Sequence, residues 1–436
     1  MKIQDLYEIF LAHPIITTDS RRCPPDSIFC ALKGDNFDGN IYASKALENG
    51  CVYAIVDNDM VAPEMDNRYI VVDNVLCTLQ ELAHYHREHF PGTVIQITGT
   101  NGKTTTKELV AAVLSRKYNV LYTEGNLNNH IGVPKTLLRI KPSFHQIAVI
   151  ETGANHPGEI ALLSKITDPD CGLITNIGRA HLEGFGSFDG VIKAKGELYD
   201  YLRNKKKGFV FLDYDNPILP TIATGIPSVC YGSPPDATKI VQGEVVSCSP
   251  FLSFRWRKGK YGTWHVVTTR LIGMYNLQNV LAAACVGIKF RVNEEDISAA
   301  LSEYVPKNDR SELRITAKNK LIVDAYNANP SSMSVALENF KNIKHQHKMV
   351  ILGDMRELGE TSREEHRKVI SLLQQQNDCE NVWLVGENFQ KEKSPYRCFR
   401  DVNEVKQALK ETPIEGMLIL IKGSNATRLY QLPDLL

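Results

Sequence analysis

Ile97-Thr98-Gly99-Thr100-Asn101-Gly102-Lys103-Thr104-Thr105-Thr106-Lys107 follows the apolar run Val94 to Ile97 and precedes a segment with Leu109, Val110, Val113 and Leu114 on one helical face. Strand, glycine-rich turn, lysine, two hydroxyls and helix, in that order, make a cradle for a nucleotide triphosphate. Glycines let backbone N–H groups approach phosphate oxygens, and a helix N-terminus adds partial positive charge. Lys103, expected exposed on the loop, can reach the β- and γ-phosphates, and the Thr104 hydroxyl can ligate Mg²⁺. The common spacing G-x-x-x-x-G-K-[ST] is absent: two residues separate Gly99 from Gly102, and Ile97 stands where the first glycine would be.

At 436 residues the chain is too long for one core. Its 50 basic and 50 acidic side chains balance, so nothing points to nucleic acid or a membrane surface. No apolar run approaches the roughly 20 residues that span a bilayer. Met1-Lys2-Ile3-Gln4-Asp5 lacks the charged-then-apolar order of a signal peptide. The ten cysteines are scattered without a C-x-x-C pair, as expected of reduced thiols in a cytoplasmic protein. No internal repeat is visible.

Three blocks emerge: 1–90, 91–305 and 306–436. The first has short apolar runs (Ser27 to Leu32, Val52 to Val56, Tyr69 to Val72) between helical stretches, and Phe90-Pro91-Gly92 ends it. The second repeats strand-then-helix through Ile147 to Ile150, Gly172 to Thr175 and Gly208 to Leu212, which predicts a mostly parallel sheet covered on both faces. Phe251 to Arg257 and Thr263 to Thr269 predict an antiparallel extension, and a helix is expected over Asn276 to Phe290. In the third block, near-continuous apolar runs at Leu321 to Ala325, Met349 to Leu352, Val382 to Val385 and Met417 to Ile421 predict strands buried on both faces. The segments after them, such as Tyr326-Asn327-Ala328-Asn329-Pro330 and Lys422-Gly423-Ser424, lie where open α/β sheets put ligands.

Three further residues stand near strand ends. Glu151 follows Ile147 to Ile150 beside the nucleotide loop, where a carboxylate is a natural Mg²⁺ ligand, a solvated strand end being the lesser alternative. His181 lies past the strand that ends near Thr175, and a lone histidine is more often structural than ligating. Lys195 sits with Lys193 in a helical stretch, where two lysines ordinarily mark a solvated face.

The run Thr98 to Thr105, with its shortened glycine spacing, resembles the nucleotide loop of the Mur ligase superfamily, ATP-dependent amide-forming enzymes of peptidoglycan synthesis to which folylpolyglutamate synthase is related. Segments Glu124 to Pro134, Gly153 to Ile160, His181 to Ser187, Asp324 to Pro330 and Leu352 to Gly359 look specifically like its D-alanyl-D-alanine-adding branch; Thr152 stands where that branch has methionine. The resemblance implies an α/β fold of three domains, with a central mostly parallel P-loop-type sheet and a Rossmann-like C-terminal domain.

By the same resemblance, Gly99, Thr100, Asn101, Gly102, Lys103, Thr104 and Thr105 bind the triphosphate of ATP. Thr104, Glu151 and His181 hold two Mg²⁺ ions, and Lys195 matches the lysine carried as a carbamate. Asn276 and Asn279 lie on the adenine side, while Arg310 and Asp324 reach phosphate and ribose from the third block. Lys103, His181, Lys195 and Arg310 are the implied catalytic set. Ser20 and Arg21, in Asp19-Ser20-Arg21-Arg22, resemble the uridine-diphosphate site, and Asn126, Asn128, Asn327 and Asn329 fall on the substrate side. The implied partners of this cytoplasmic monomer are UDP-N-acetylmuramoyl-tripeptide and D-alanyl-D-alanine. The competing expectations are another amino-acid-adding ligase of the superfamily, folylpolyglutamate synthase, a nucleotide-binding scaffold without turnover, and an NTPase switch or motor. The first two are disfavoured by Asn126 to Pro134 and Asp324 to Pro330, the third by the full complement of phosphate and metal residues, and the last by the loop spacing.

Overall fold

The computed structural model describes every residue except Glu64, Pro235, 307–311 and Asn377. Three parallel or mostly parallel sheets follow one another along the chain. The first has four parallel strands in the order Ile16–Thr17, Ser27–Cys30, Cys51–Val56, Tyr69–Val71. Asn74 starts its long helix, Val75–Glu88, by accepting a hydrogen bond from the Cys77 N–H. That helix has two apolar sides to cover. It packs on helix Ile3–Ala12 and on helices Gly132–Leu137 and Glu159–Thr167 of the next unit. One apolar cluster therefore runs from Phe10 through Leu79 and Leu82 to Leu163 and Leu198, joining the first sheet to the second.

The second sheet has nine strands. Thr93–Thr98 lies between Ile147–Glu151 and Cys171–Ile174, all parallel. Val120–Tyr122 closes one edge, and Phe209–Asp213, Ser228–Gly232 and Val241–Cys248 extend the other in parallel. The expected antiparallel extension follows as Phe251–Lys258 and His265–Ile272. Val120–Tyr122 and Ser228–Gly232 were not expected from sequence. They are short, and they draw their order from neighbours rather than from a hydrophobic period. Leu109, Val110, Val113 and Leu114 are fully buried, as the helical face predicts.

The third sheet has six strands in the order Glu312–Ile315, Lys320–Asp324, Leu418–Lys422, Lys348–Gly353, Asn381–Val385, Arg397–Phe399; only the first is antiparallel. Alternate residues serve opposite cores. Ile322, Val350, Leu352 and Leu420 join one apolar cluster, and Leu321, Val323, Ile351 and Ile421 the other. This is the period-2 geometry of a sheet covered on both faces. None of the ten cysteines is bonded to another, and among the described residues no helix is long and apolar enough to cross a membrane.

Arg87, at the end of Val75–Glu88, fastens the first unit to the second. Its guanidinium donates to the Asp170 carboxylate at 2.9 Å and to the Asp168 carbonyl at 3.0 Å, and the same Asp170 oxygen accepts from the Val94 N–H at 2.8 Å. Arg87→Met should keep the aliphatic packing and lose these charge-assisted bonds, lowering stability by about 2 kcal/mol in urea unfolding. An unchanged midpoint would show that the apolar junction alone carries the joint.

Candidate active site

The nucleotide loop joins strand Thr93–Thr98 to helix Lys103–Leu114. Gly99 has φ +139°, and a Cβ there would lie 2.1 Å from Thr175 Oγ1; Gly102 has φ +78°, and a Cβ would meet Asn279 Oδ1 at 2.8 Å. Both glycines are thus required by conformation and by space. The segment after strand Cys171–Ile174 braces the loop: Thr100 N–H donates to the Asn176 carbonyl, Asn101 N–H to Asn176 Oδ1, and Thr175 Oγ1 to the Asn101 carbonyl. Lys103 is not an exposed loop residue as expected. It is the first residue of the helix and half-buried, with Nζ donating to the carbonyls of Gly99 at 2.8 Å and Thr100 at 2.9 Å. The helix start folds the ammonium back over the loop it serves.

A relay of side chains joins the loop's helix to the helix that carries Asn276 and Asn279. Thr106 Oγ1 donates to Asn279 Oδ1 at 3.1 Å, Asn279 Nδ2 to Asn276 Oδ1 at 2.8 Å, and Asn276 Nδ2 to the Ile272 carbonyl at 2.9 Å. Helix Asn276–Lys289 is thereby locked against helix Lys103–Leu114.

Glu151 closes strand Ile147–Glu151 and is 1 % exposed. Its Oε1 accepts from Thr104 Oγ1 at 3.1 Å and from Asn128 Nδ2 at 2.8 Å, whereas Oε2 is buried with no hydrogen-bond partner among the described residues. A buried carboxylate oxygen left unpaired is costly unless a cation meets it. The described residues hold no group of three His, Cys, Asp or Glu side chains able to cage a metal. A buried carboxylate oxygen beside the Thr104 hydroxyl is a donor set that fits Mg²⁺, which is commonly held by one or two carboxylates together with substrate phosphates. Thr152 next in sequence is buried, and its hydroxyl accepts from Gln96 Nε2 at 3.0 Å, so a polar pair occupies the position where the resemblance implied methionine.

His181 has φ +51° and precedes the short helix Leu182–Phe185. Its Nδ1 pairs with the carboxylate of Glu357, a residue of the third unit. Contact with the His181 imidazole, chiefly, holds the Glu357 carboxyl below its ordinary range.

Lys195 overturns the solvated-face expectation. On helix Phe188–Asn204, Lys193 is exposed but Lys195 is buried, with Nζ donating to the Ala154 carbonyl at 3.2 Å and lying 5.2 Å from the centre of the Phe185 ring. Burial first, and then the Lys103 charge, push its ammonium down to about 7. A sizeable fraction of the amine is therefore uncharged at neutral pH.

From the third unit, Asp324 ends strand Lys320–Asp324, and Lys422 ends the adjacent strand. Lys422, 1 % exposed, donates to Asp324 Oδ2 at 2.6 Å and to the Asn327 carbonyl at 3.2 Å. Asn329 caps helix Pro330–Asn342 and reaches across to Asn101 Oδ1 at 2.9 Å, while Ser331 Oγ accepts the Arg179 N–H at 3.0 Å.

Together these elements surround a cleft of about 930 Å³. Thr100, Asn101, Gly102, Lys103, Thr105, Asn126, Asn128, Glu151, His181, Asn276, Asn279, Asp324, Asn327 and Asn329 line it, as do Glu357 and Lys422. Thr104 and Lys195 are buried behind this lining and bond to it through Glu151 and Ala154. Ser20 and Arg21 are not brought to this cleft; they lie in the first unit, where the Arg21 guanidinium is paired with Asp19. Arg310 lies outside the described residues. Glu357 and Lys422 entered the sequence expectations only inside the segments Leu352 to Gly359 and Lys422 to Ser424, with no role of their own, although a charged residue closing an apolar strand marks Lys422 just as it marks Glu151.

Three family descriptions match in succession: "Mur ligase family, catalytic domain" over residues 14–87, "Mur ligase middle domain" over 97–287, and "Mur ligase, glutamate ligase domain" over 309–425. The UDP-N-acetylmuramoyl-tripeptide–D-alanyl-D-alanine ligase of Bacillus subtilis (strain 168) is 33% identical over 98% of this chain and 93% of its own length. The crystal structure of MurF from Acinetobacter baumannii superposes with a TM-score of 0.87 at 30% identity, covering 100% of this chain and 98% of that one. MurF ligase from Thermotoga maritima, solved in complex with ADP, gives a TM-score of 0.84 at 26% identity over 98% of this chain and 97% of that one. The chain belongs to the Mur ligase family, in the branch of the UDP-N-acetylmuramoyl-tripeptide–D-alanyl-D-alanine ligases.

Proposed function

We propose that this chain joins D-alanyl-D-alanine to UDP-N-acetylmuramoyl-tripeptide, consuming ATP and releasing ADP and phosphate, to give the UDP-N-acetylmuramoyl-pentapeptide used for peptidoglycan, and so for cell shape and division. One observation carries it. A chain that aligns over nearly its whole length with ligases of that name builds a single cleft from its nucleotide loop, the buried Glu151 carboxylate and the third-unit segment 324–332.

A carboxylate does not react with an amine at neutral pH, because its leaving group would be oxide. Phosphoryl transfer from ATP converts it to an acyl phosphate. The amine of D-alanyl-D-alanine then attacks, and the tetrahedral intermediate collapses to amide and phosphate. Phosphoryl transfer is mostly positioning and charge neutralisation. Lys103 exchanges its two loop carbonyls for phosphate oxygens, and the loop N–H groups and helix start add donors. Asn276 and Asn279 receive the adenine side, Asp324 the ribose, and Arg310 the phosphates. Thr104, Glu151 and His181, with Lys195 as its carbamate, would hold two Mg²⁺ ions, which neutralise phosphate charge as it shifts. Lys195 forms that carbamate when its neutral amine adds CO₂ and loses a proton, turning a buried cation into a buried anion. Asn128 holds Glu151 in place, Asn329 ties the third unit over the loop, and Asn126 and Asn327 face the peptide substrates. Seating of the third unit excludes the water that would hydrolyse the acyl phosphate. Ser20 and Arg21 contact the UDP end. The enzyme acts as a monomer in the cytoplasm, each chain carrying a complete cleft.

Purified protein should release phosphate from ATP only when a UDP-muramoyl-tripeptide, with diaminopimelate or lysine at its third position, and D-alanyl-D-alanine are both present. Comparable turnover with single amino acids or with folates would move the chain to another branch.

Lys422→Met removes the cation that holds Asp324 without emptying the space. The KM for ATP should rise about tenfold with a smaller change in kcat; an unaltered KM would detach Asp324 from nucleotide binding.

Lys195→Ala should slow the reaction by on the order of 10²–10³, and added formate or acetate should restore part of the rate. Lys195→Arg, locked as a cation, should be inactive. Because the Lys195 ammonium titrates at about 7, lowering the pH through that value protonates the amine and should raise the CO₂ concentration needed for full rate. Wild-type speed of Lys195→Ala in CO₂-free buffer would eliminate the carbamate.

A further inference from the structure

His181 and Glu357 come from different units, and both hold non-glycine backbones in the left-handed region, at φ +51° and +61°. Such conformations persist where surrounding structure over-determines them, and they gather at functional sites. Here the two strained positions face each other. The Glu357 carboxylate takes His181 Nδ1, and the Glu183 N–H donates to the Glu357 carbonyl at 3.4 Å. Gly359 closes against Glu183, so a Cβ at 359 would lie 3.4 Å from the Glu183 Cβ. The contact is thus made by backbone as well as side chains, and both residues line the cleft with Glu151.

A neutral imidazole carries its proton on one nitrogen and offers a lone pair on the other. A carboxylate against Nδ1 repels a lone pair there and so favours the Nδ1–H form, which leaves Nε2 as the nitrogen able to ligate a metal. The same arrangement orients metal-bound histidines generally, and it raises their basicity. We propose that Glu357 is a positioning residue: by favouring His181 as the Nδ1–H tautomer, it prepares Nε2 to ligate a divalent cation in the cleft that Glu151 also lines. Since Glu357 is supplied by the third unit, this ligand is prepared only when that unit is seated on the central one. Metal affinity and domain seating become one equilibrium. The role given to the cation rests on the ligase reading; the pairing and the tautomer do not.

Two measurements on the full-length protein test it without turnover. In the metal-free wild type at about pH 8, above the ordinary histidine range, ¹⁵N NMR of the imidazole should show His181 as the Nδ1–H tautomer, and Glu357→Ala should lose that preference. With ADP present, Mn²⁺ binding followed by electron paramagnetic resonance should weaken about 10–100-fold in Glu357→Ala. The double variant His181→Ala/Glu357→Ala should bind no more weakly than His181→Ala alone. A wild-type Nε2–H tautomer, undiminished Mn²⁺ affinity in Glu357→Ala, or additive losses in the double variant would each overturn the proposal. The tautomer needs no substitution, so it decides even if Glu357→Ala does not fold. A protein inactive with the ligase substrates would overturn the functional reading while these measurements still judge the pair.

Discussion

Glu151 is a carboxylate sealed into the end of a central strand with one oxygen satisfied and the other buried without a hydrogen-bond partner among the described residues. Much of the surrounding architecture serves that constraint. Strand Ile147–Glu151 is paired to Thr93–Thr98, so the carboxylate and the nucleotide loop leave the sheet side by side. Thr104 bonds to it from the start of the loop's helix and Asn128 from the segment before helix Gly132–Leu137, so any shift of either is felt at the charge.

Two lysines share the same region with opposite fates. Lys103 lies at a helix start, where two backbone carbonyls satisfy its ammonium. Lys195 has one carbonyl and an aromatic face, and its charge is disfavoured by burial and by Lys103 itself. An ammonium held by backbone carbonyls and a buried amine whose charge is disfavoured are thus made from one residue type by environment alone. The third unit then completes the cleft through Asn329 on Asn101, Ser331 on Arg179 and Glu357 on His181. All three contacts are polar.

The sequence by itself determined the local structure and the nucleotide chemistry. The glycines, Lys103 and Thr104 mark their loop by spacing, and the face Leu109 to Leu114 marks its helix by period. The apolar runs of the third unit mark strands covered on both sides, because each signal is carried by neighbours in the chain. Short strands such as Val120–Tyr122 and Ser228–Gly232 were not visible, since three to five mixed residues hold no period and gain their order from pairing. Tertiary structure alone decided which lysine of the pair 193 and 195 is buried, that Lys422 secures Asp324, and that Glu357 reaches His181. It also decided that Ser20 and Arg21 stand apart from the cleft. Burial, and pairing between residues tens to hundreds of positions apart, depend on how sheets and units pack, and no local pattern encodes that.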